Sequence, residues 1–269
     1  MRQRDLILFF AMAFLISWGI LALYIFVPAP MVRWFGRLTG EHPLFYLAVY
    51  APAIAAVLIV LYRHGIEGTR RFLARLLLWR ASIHWYVFLI VGVPLVFYAS
   101  ALFKKGAYGT LFPFASVPAY LLALFLMAIK GPVEEIGWRG MALPLLQRSM
   151  APIWAGMVLG VIWGIWHLPA FLLSGTPQSA WSLTPFFGGT VALSVIVTPL
   201  FNSARGSILV PALFHLQLIN PLWPDAQPYD NGLFVAVAAV VVWLNRDAMF
   251  TRKGTVTDVV PETNGDVFH

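Results

Sequence analysis

The sequence predicts an all-α fold: a polytopic membrane bundle of about eight transmembrane helices. Two observations carry this. Of 269 residues, 60% are hydrophobic and only 11% charged, where a soluble domain carries about 25% charged residues. The apolar residues are also gathered into separate runs near the ~20 residues that cross a bilayer. The composition excludes some chemistry as well. There is no cysteine, so disulfides, thiolate metal sites and cysteine nucleophiles do not arise. The net charge of +7 is read as topogenic, because no basic-aromatic cluster points to nucleic acid.

The elements follow in order. Arg2 and Arg4 precede an apolar run over 6–27. That run exceeds the h-region of a signal peptide, about 7–15 residues, so it reads as an uncleaved first span. The next spans are expected at 44–62, 82–103, 111–130 continuing to 148, 152–173, 183–201, 207–222 and 231–245. A straight helix over the fourth would overrun a core of about 30 Å. Pro118, Pro132 and Pro144 predict kinks or breaks there, which leaves a ninth span open. Residues 1–246 then form one transmembrane domain and 247–269 a polar tail.

The connections have their own signatures. Residues 63–80 form a basic loop. Within it, Ile66–Trp79 reads either as an interfacial amphipathic helix presenting Arg70, Arg71 and Arg75 to lipid head groups or as a solvated connector. Leu222–Asn231, with Pro224, Asp225, Pro228 and Asp230, predicts a rigid loop. Thr255–His269, carrying Asp258, Glu262 and Asp266, predicts a loose tail.

Basic residues set the expected orientation. With the N-terminus inside, the inner segments hold Arg2, Arg4, Arg63, Arg70, Arg71, Arg75, Arg80, Lys130, Arg139, Arg148, Arg205, Arg246, Arg252 and Lys253. The outer loops hold Arg33, Arg37, Lys104 and Lys105. The bias predicts that both termini are cytoplasmic.

Chemistry centres on Lys130–Gly140, where Glu134, Glu135 and Arg139 lie inside a long apolar region. Ionisable groups at membrane depth are costly and mark functional sites by default. Glu135 and Arg139 are four apart, so on a helix they share a face and Glu135 is neutralised in place. Glu134 points about 100° away with no local cation. A carboxyl in apolar surroundings without a cation suits a general base. The plainer reading is that both acids pair with Arg139 and hold helices together.

Two histidines sit in apolar runs further on. His167 follows Trp163 by four residues, which puts the two on one helix face. His215 lies near the middle of the seventh span. Either alone reads as a hydrogen-bonded packing residue. Together they read differently. Glu134 and His167 are equidistant from the expected turn at Ser149–Pro152, and equal distance in an antiparallel hairpin means equal depth. His215 reaches mid-membrane as well. No serine lies in these motifs, so an acyl-enzyme is not expected. Glu134 would activate a water and His167 would orient it or protonate a leaving amine. His215, with Asn220 or Gln217, would donate to an oxyanion. The alternative is a zinc-like divalent ion held by Glu134, His167 and His215. The helical zinc motif His-Glu-x-x-His is absent, so spacing does not compel a metal.

The motifs resemble those of the type II CAAX prenyl endopeptidase and bacteriocin-processing family of intramembrane proteases. That family carries Glu-Glu-x-x-x-Arg, Phe-x-x-x-His and His-x-x-x-Asn on separate membrane helices. Here the first is complete as Glu134-Glu135-Ile136-Gly137-Trp138-Arg139. The second is Trp163-Gly164-Ile165-Trp166-His167, with tryptophan for phenylalanine. The third departs: four residues after His215 stands Ile219, and Asn220 is one position further, about 100° round a continuing helix. The resemblance covers about residues 115–225. It implies an eight-helix bundle with a cavity among the fourth, fifth and seventh helices. It also implies Glu134 as base, His167 as its partner, and His215 with a nearby amide as the oxyanion site, supported by Glu135, Arg139 and Trp163.

The function expected from the resemblance is an endopeptidase that hydrolyses a peptide bond in a membrane-embedded cavity. Its partners would be membrane lipids and a peptide or protein substrate, lipid-modified or not. No cofactor is expected, with a zinc-like ion as the alternative. The short outer loops look bacterial, which places the protein in a bacterial or archaeal cell membrane. Two rivals stand beside it. Ile219 favours a catalytically silent scaffold or immunity-type protein. Buried Glu and His also make proton relays, but the first three spans offer few polar groups for a transporter's path.

Overall fold

The computed structural model describes residues 1, 3–104 and 112–262. Arg2, Lys105, Asp266 and the end of the expected tail lie outside these residues. The described chain is helical. Six segments are long and apolar enough to cross a membrane: α1 (Gln3–Phe26), α2 (Ala51–Leu77), α3 (Ile83–Ala101), α4 (Val117–Gln147), α5 (Pro152–Leu172) and α6 (Leu183–Ser203). Two shorter apolar helices, α7 (Leu209–Leu218) and α8 (Tyr229–Leu244), complete the bundle. The protein is a polytopic helical membrane protein, as its composition predicts.

One end of the bundle gathers both termini. Arg148, at the α4–α5 turn, donates to the carbonyls of Met1 at 2.5 Å and Thr257 at 2.9 Å. Asp5 of α1 pairs with Arg63 of α2 at 2.7 Å. We call this the near end. The far end carries the α1–α2, α3–α4, α5–α6 and α7–α8 connections. Lys130 belongs there, because its Nζ pairs with Glu41 of the α1–α2 connection at 3.3 Å. This corrects its expected place among the inner residues. A pause in the helix at Gly131 leaves Lys130 on the far side of the break.

The 63–80 region is helical beyond Gly65, as the first reading of it expects, but it does not present all three arginines outward. α2 runs through it with a kink at Gly65, whose φ of 65° is reached cheaply only by glycine. Arg70 is exposed and Arg71 half-buried, beside Glu67. Arg75, expected at the head groups, is 2% exposed. Its Nε donates to the Gly206 carbonyl at 2.8 Å, and its Nη1 donates to those of Gly140 at 2.7 Å and Val259 at 2.9 Å. The Gly140 bond has a local cause. Pro144, four residues on, has no N–H to give that carbonyl. The chain after α8 is not loose where it is described. Val259 is 1% exposed, and Val256 and Val260 pack on the core cluster that contains Phe72. Gln147 and Asn202 hold Val256 through its carbonyl and N–H.

The fourth segment breaks as its prolines predict, though not at each of them. Pro118 opens the helix Val117–Lys130 instead of kinking it; Ser116 caps that start by accepting from the Ala119 N–H at 3.3 Å. No residue of this half is fully buried; Tyr120, Met127 and Lys130 turn toward the bundle, and the exposed Leu121, Leu122 and Phe125 would meet lipid in a bilayer. Pro132 begins a 3-10 turn, Pro132–Glu134, and a π-helical turn occupies Trp138–Ala142 just before Pro144. Residues 137–147 are all buried.

The seventh element also departs from expectation. The sequence predicts a span over 207–222, but α7 stops at Leu218, and Ile219 has left helical geometry at φ −112°, ψ 14°. At about 1.5 Å per residue, a helix of this length reaches only halfway across a core. The non-helical chain beyond it is tolerated at depth because it lines a cavity and not lipid.

Candidate active site

A cavity of about 440 Å³ occupies the far half of the bundle. Glu134, His167, His215 and Asn220 all line it. The depth match expected for Glu134 and His167 is therefore realised in one chamber, and His215 joins them.

Each side chain is set by its local backbone. Glu134 ends the 3-10 turn that Pro132 starts, and it is 4% exposed. Its Oε2 accepts two indole N–H groups, Trp163 Nε1 at 2.9 Å and Trp138 Nε1 at 3.2 Å. Both bonds fall on one oxygen, so Oε1 remains as an acceptor. Among the described residues no arginine or lysine pairs with Glu134, as its helical phase predicts. Glu135 behaves oppositely. Arg139 Nη1 donates to its Oε1 at 3.1 Å, and His215 Nδ1 meets the same oxygen at 2.8 Å. The reading that both acids pair with Arg139 thus holds for Glu135 only.

Trp163 joins the parts. Besides its bond to Glu134, its carbonyl meets His167 Nδ1 at 2.8 Å. Its ring lies edge-on to His167 at 5.5 Å and to His215 at 5.6 Å, with the Arg139 guanidinium 5.0 Å from its centroid. A carbonyl only accepts, so His167 Nδ1 carries the hydrogen and neutral His167 has its lone pair on Nε2. The same logic applies to His215 against the Glu135 carboxylate. Its Nε2 becomes a donor only when the ring is doubly protonated. Gly131 lets this group close up, since a Cβ there would stand 2.9 Å from His215 Nε2 and 2.6 Å from Ile219 Cδ1.

Asn220 is held by its neighbours. Its Oδ1 accepts from the Leu222 N–H at 3.0 Å and the Tyr120 hydroxyl at 3.4 Å, and its Nδ2 donates to Gln217 at 3.1 Å. Because α7 ends before it, the helical offset of 100° does not apply. One amide hydrogen is left over. Sequence reading missed Trp138 and Tyr120. Trp138 was detectable as the residue four beyond Glu134, on the same helical face. Tyr120 had no local signal, being a hundred residues from Asn220.

Among the described residues no three His, Asp or Glu side chains form a group that could hold an ion.

Residues 113–218 match the family model described as type II CAAX prenyl endopeptidase Rce1-like. CAAX prenyl protease 2 of Methanococcus maripaludis is 27% identical over 147 residues, 50% of this chain and 54% of that protein. The chain thus spans about half the length of the curated relative it matches. The matched segment contains Glu134, Glu135, Arg139, His167 and His215. Over these residues the chain is similar to the type II CAAX prenyl endopeptidases.

Proposed function

We propose that the protein is an intramembrane endopeptidase that hydrolyses a peptide bond with a water activated by Glu134. The observation that supports this best is the state of Glu134. It is a buried carboxylate with no cation partner, steadied on one oxygen by two indoles and free on the other, in the wall of a cavity large enough for a peptide segment. In this reading Glu134 Oε1 takes a proton from water as the water oxygen attacks the scissile carbonyl carbon. The oxyanion faces donors from the half-helix α7 and the loop after it: His215 Nε2 in its doubly protonated form, held by Glu135, and the remaining amide hydrogen of Asn220. His167 Nε2 orients the water. The C–N bond then breaks as the proton held by Glu134 passes to the leaving amine, giving a new amine and a new carboxylic acid, which releases its remaining proton to solvent.

The substrate is a peptide or protein segment, and the relative's name suggests a lipid-modified one. The side chains carry the reaction without a metal in this reading, and no step is assigned to one. The direct test is cleavage of a quenched fluorescent peptide library by purified protein, wild type beside Glu134→Gln, with and without chelator. We expect turnover to fall at least about a thousandfold in the variant, by analogy with loss of a central catalytic group, and to be indifferent to chelator. Full activity in Glu134→Gln would sink the base assignment; loss on chelation would sink the metal-free one. Absence of cleavage by wild type would favour the silent scaffold, for which Ile219 at the position of the family's asparagine is the specific support.

A further inference from the structure

We propose that the cavity holds a second subsite, at Asp230, that takes a lysine or arginine side chain of the substrate and so selects which peptides are cut. The proposal deepens the protease reading and rests on it. Apart from the Glu134 group, the cavity wall carries a separate polar group from the α7–α8 connection and the start of α8: Asp225, Gln227, Asp230 and Asn231. The proposed hydrolysis uses none of them. Asp230 is 6% exposed. Its Oδ1 accepts from the Asn231 N–H at 2.7 Å, and among the described residues no side chain donates to it or pairs with it. An acid in the first turn suits the helix dipole, but a surface acid serves that end equally well, and a carboxylate buried without a cation is costly. The nearby lysines are committed elsewhere: Lys104 pairs with Asp225 at 3.1 Å and Lys130 with Glu41 at 3.3 Å. Of the carboxylate and ammonium groups that line the cavity, Glu134 and Asp230 are thus the two without an ion pair among the described residues, and both are acids. Such a chamber attracts a cation.

The surroundings of Asp230 match a long cation. Phe234 follows it by four residues, on the same face of α8. The Phe234 ring meets that of Phe97, on α3, edge-on at 5.7 Å, and both residues line the cavity. Lysine and arginine carry an apolar stem under a charged tip. The stem lies against these rings while the tip reaches the carboxylate. Asn231 keeps the group in order, since its Nδ2 donates to Gln227 at 2.6 Å. It also approaches α6 so closely that a Cβ at Gly189 would stand 1.9 Å from its Oδ1. That approach gives a scale for the subsite. Phe186 of α6 packs on His167 with ring centroids 5.2 Å apart, and Gly189 lies three residues further along the same helix, about 5 Å at about 1.5 Å per residue. An extended peptide advances about 3.3 Å per residue. The cationic side chain therefore belongs to a residue within about three positions of the scissile bond.

The test separates binding from cleavage. The probes are short acetylated alanine–leucine peptides carrying a neutral fluorescent label, with a single lysine, norleucine or glutamate placed at each position in turn. Binding is read by fluorescence polarisation on full-length Glu134→Gln protein in detergent, with empty micelles subtracted, so no turnover is needed. At one position or more we expect the lysine peptide to bind at least about tenfold more tightly than its norleucine match, with glutamate the weakest. Adding Asp230→Asn to the same protein should bring the lysine-to-norleucine ratio to within about twofold of unity. Asp247→Asn, an exposed acid beyond the other end of α8, makes the same change in net charge and should leave the ratio near its starting value. Equal binding of lysine and norleucine peptides at every position, or failure of both to bind, would overturn the subsite, and this arm does not depend on any variant of Asp230 folding. A ratio that survives Asp230→Asn would overturn the assignment to Asp230. Cleavage of the same peptides by wild type tells the two readings apart. A lysine preference in binding with no peptide cut sinks the protease and leaves the cation subsite standing. Cleavage at equal rates for lysine and norleucine peptides sinks the subsite and leaves the protease.

Discussion

Two arginines are buried to the same 2% exposure, and their surroundings differ completely. Arg139 has an acid on its own helix four residues back, at 3.0 Å, with the Trp163 ring beneath it. Arg75 forms no ion pair among the described residues. Its Nε and Nη1 donate to the carbonyls of Gly206, Gly140 and Val259, from three separate stretches of chain, its Nη2 is buried without a hydrogen-bond partner among the described residues, and its guanidinium lies within 6 Å of the Phe72 and Phe201 rings. The difference separates two uses of buried charge. Arg139 holds one wall of a pocket, because it shares Glu135 Oε1 with His215 and so fixes both side chains in place. Arg75 is a joint. It fastens the turn before α7 and the chain after α8 to a carbonyl that Pro144 has freed in α4.

The largest effect should come from breaking the pair. Arg139→Met leaves Glu135 buried with His215 alone, and loss of one member of a buried ion pair costs about 3–5 kcal/mol. We expect a large drop in thermal midpoint in detergent and no measurable turnover. A double variant, Arg139→Met with Glu135→Met, should recover much of the stability and none of the turnover. Breaking the joint should do less. Arg75→Met removes donors from three carbonyls, each costing about 1–3 kcal/mol if left dry. Water filling the space left by the guanidinium would offset part of this, and a total of about 2–3 kcal/mol is expected. Turnover per folded molecule should stay within about twofold of wild type, since no group in the cavity loses a partner. Equal damage to turnover by the two variants would erase the distinction.

This contrast also explains what the sequence made legible. Hydropathy displayed the bundle because a bilayer imposes one length on every crossing. Glu135–Arg139 was readable because both ends of the bond lie within one helical turn, and the isolation of Glu134 followed from the same periodicity. The symmetric spacing of Glu134 and His167 about one turn gave their common depth. Arg75 was misplaced because its partners are 65, 131 and 184 residues away, and nothing within its own loop hinted at them. The early end of α7 escaped for a related reason. Ile219 and Asn220 fit an apolar helix by composition, and only the cavity beside them makes non-helical backbone affordable. The chain at 255–269 reads as polar in aggregate, while three valines and the carbonyls between 256 and 261 do the holding.

Within the site the next effect is smaller. Trp163→Phe keeps a ring against His167 and His215 but deletes the 2.9 Å donor to Glu134. Hydrogen bonds to charged groups are worth about 1.5–3 kcal/mol. Some of this is recovered when Trp138 shifts toward Oε2, so we expect turnover to fall about tenfold, near 1.4 kcal/mol. Trp138→Phe, which loses a 3.2 Å bond, should cost less. Steady-state turnover at saturating peptide measures both. A larger loss for Trp138→Phe would mean that the indole on α4, and not the one on α5, sets the carboxylate.

The smallest effect is a coupling. Deleting residues 256–269 removes the Val259 carbonyl from Arg75 and also strips Val256, Val259 and Val260 from the core. The deletion alone therefore mixes polar and apolar losses. A double-mutant cycle separates them, because the deletion shares with Arg75→Met the hydrogen bond and the charge of Asp258 but not the packing of the valines. If the bond matters, the two single losses should sum to about 1 kcal/mol more than the double loss, read from thermal unfolding in one detergent. Arg148→Met in place of Arg75→Met gives the contrast: its bond to the Thr257 carbonyl is exposed, so water can replace it and the coupling should fall near zero. Equal couplings for the two arginines would mean that the C-terminal chain is held by its valines alone. Arg75 would then be anchored by Gly206 and Gly140, and the joint would have two arms instead of three.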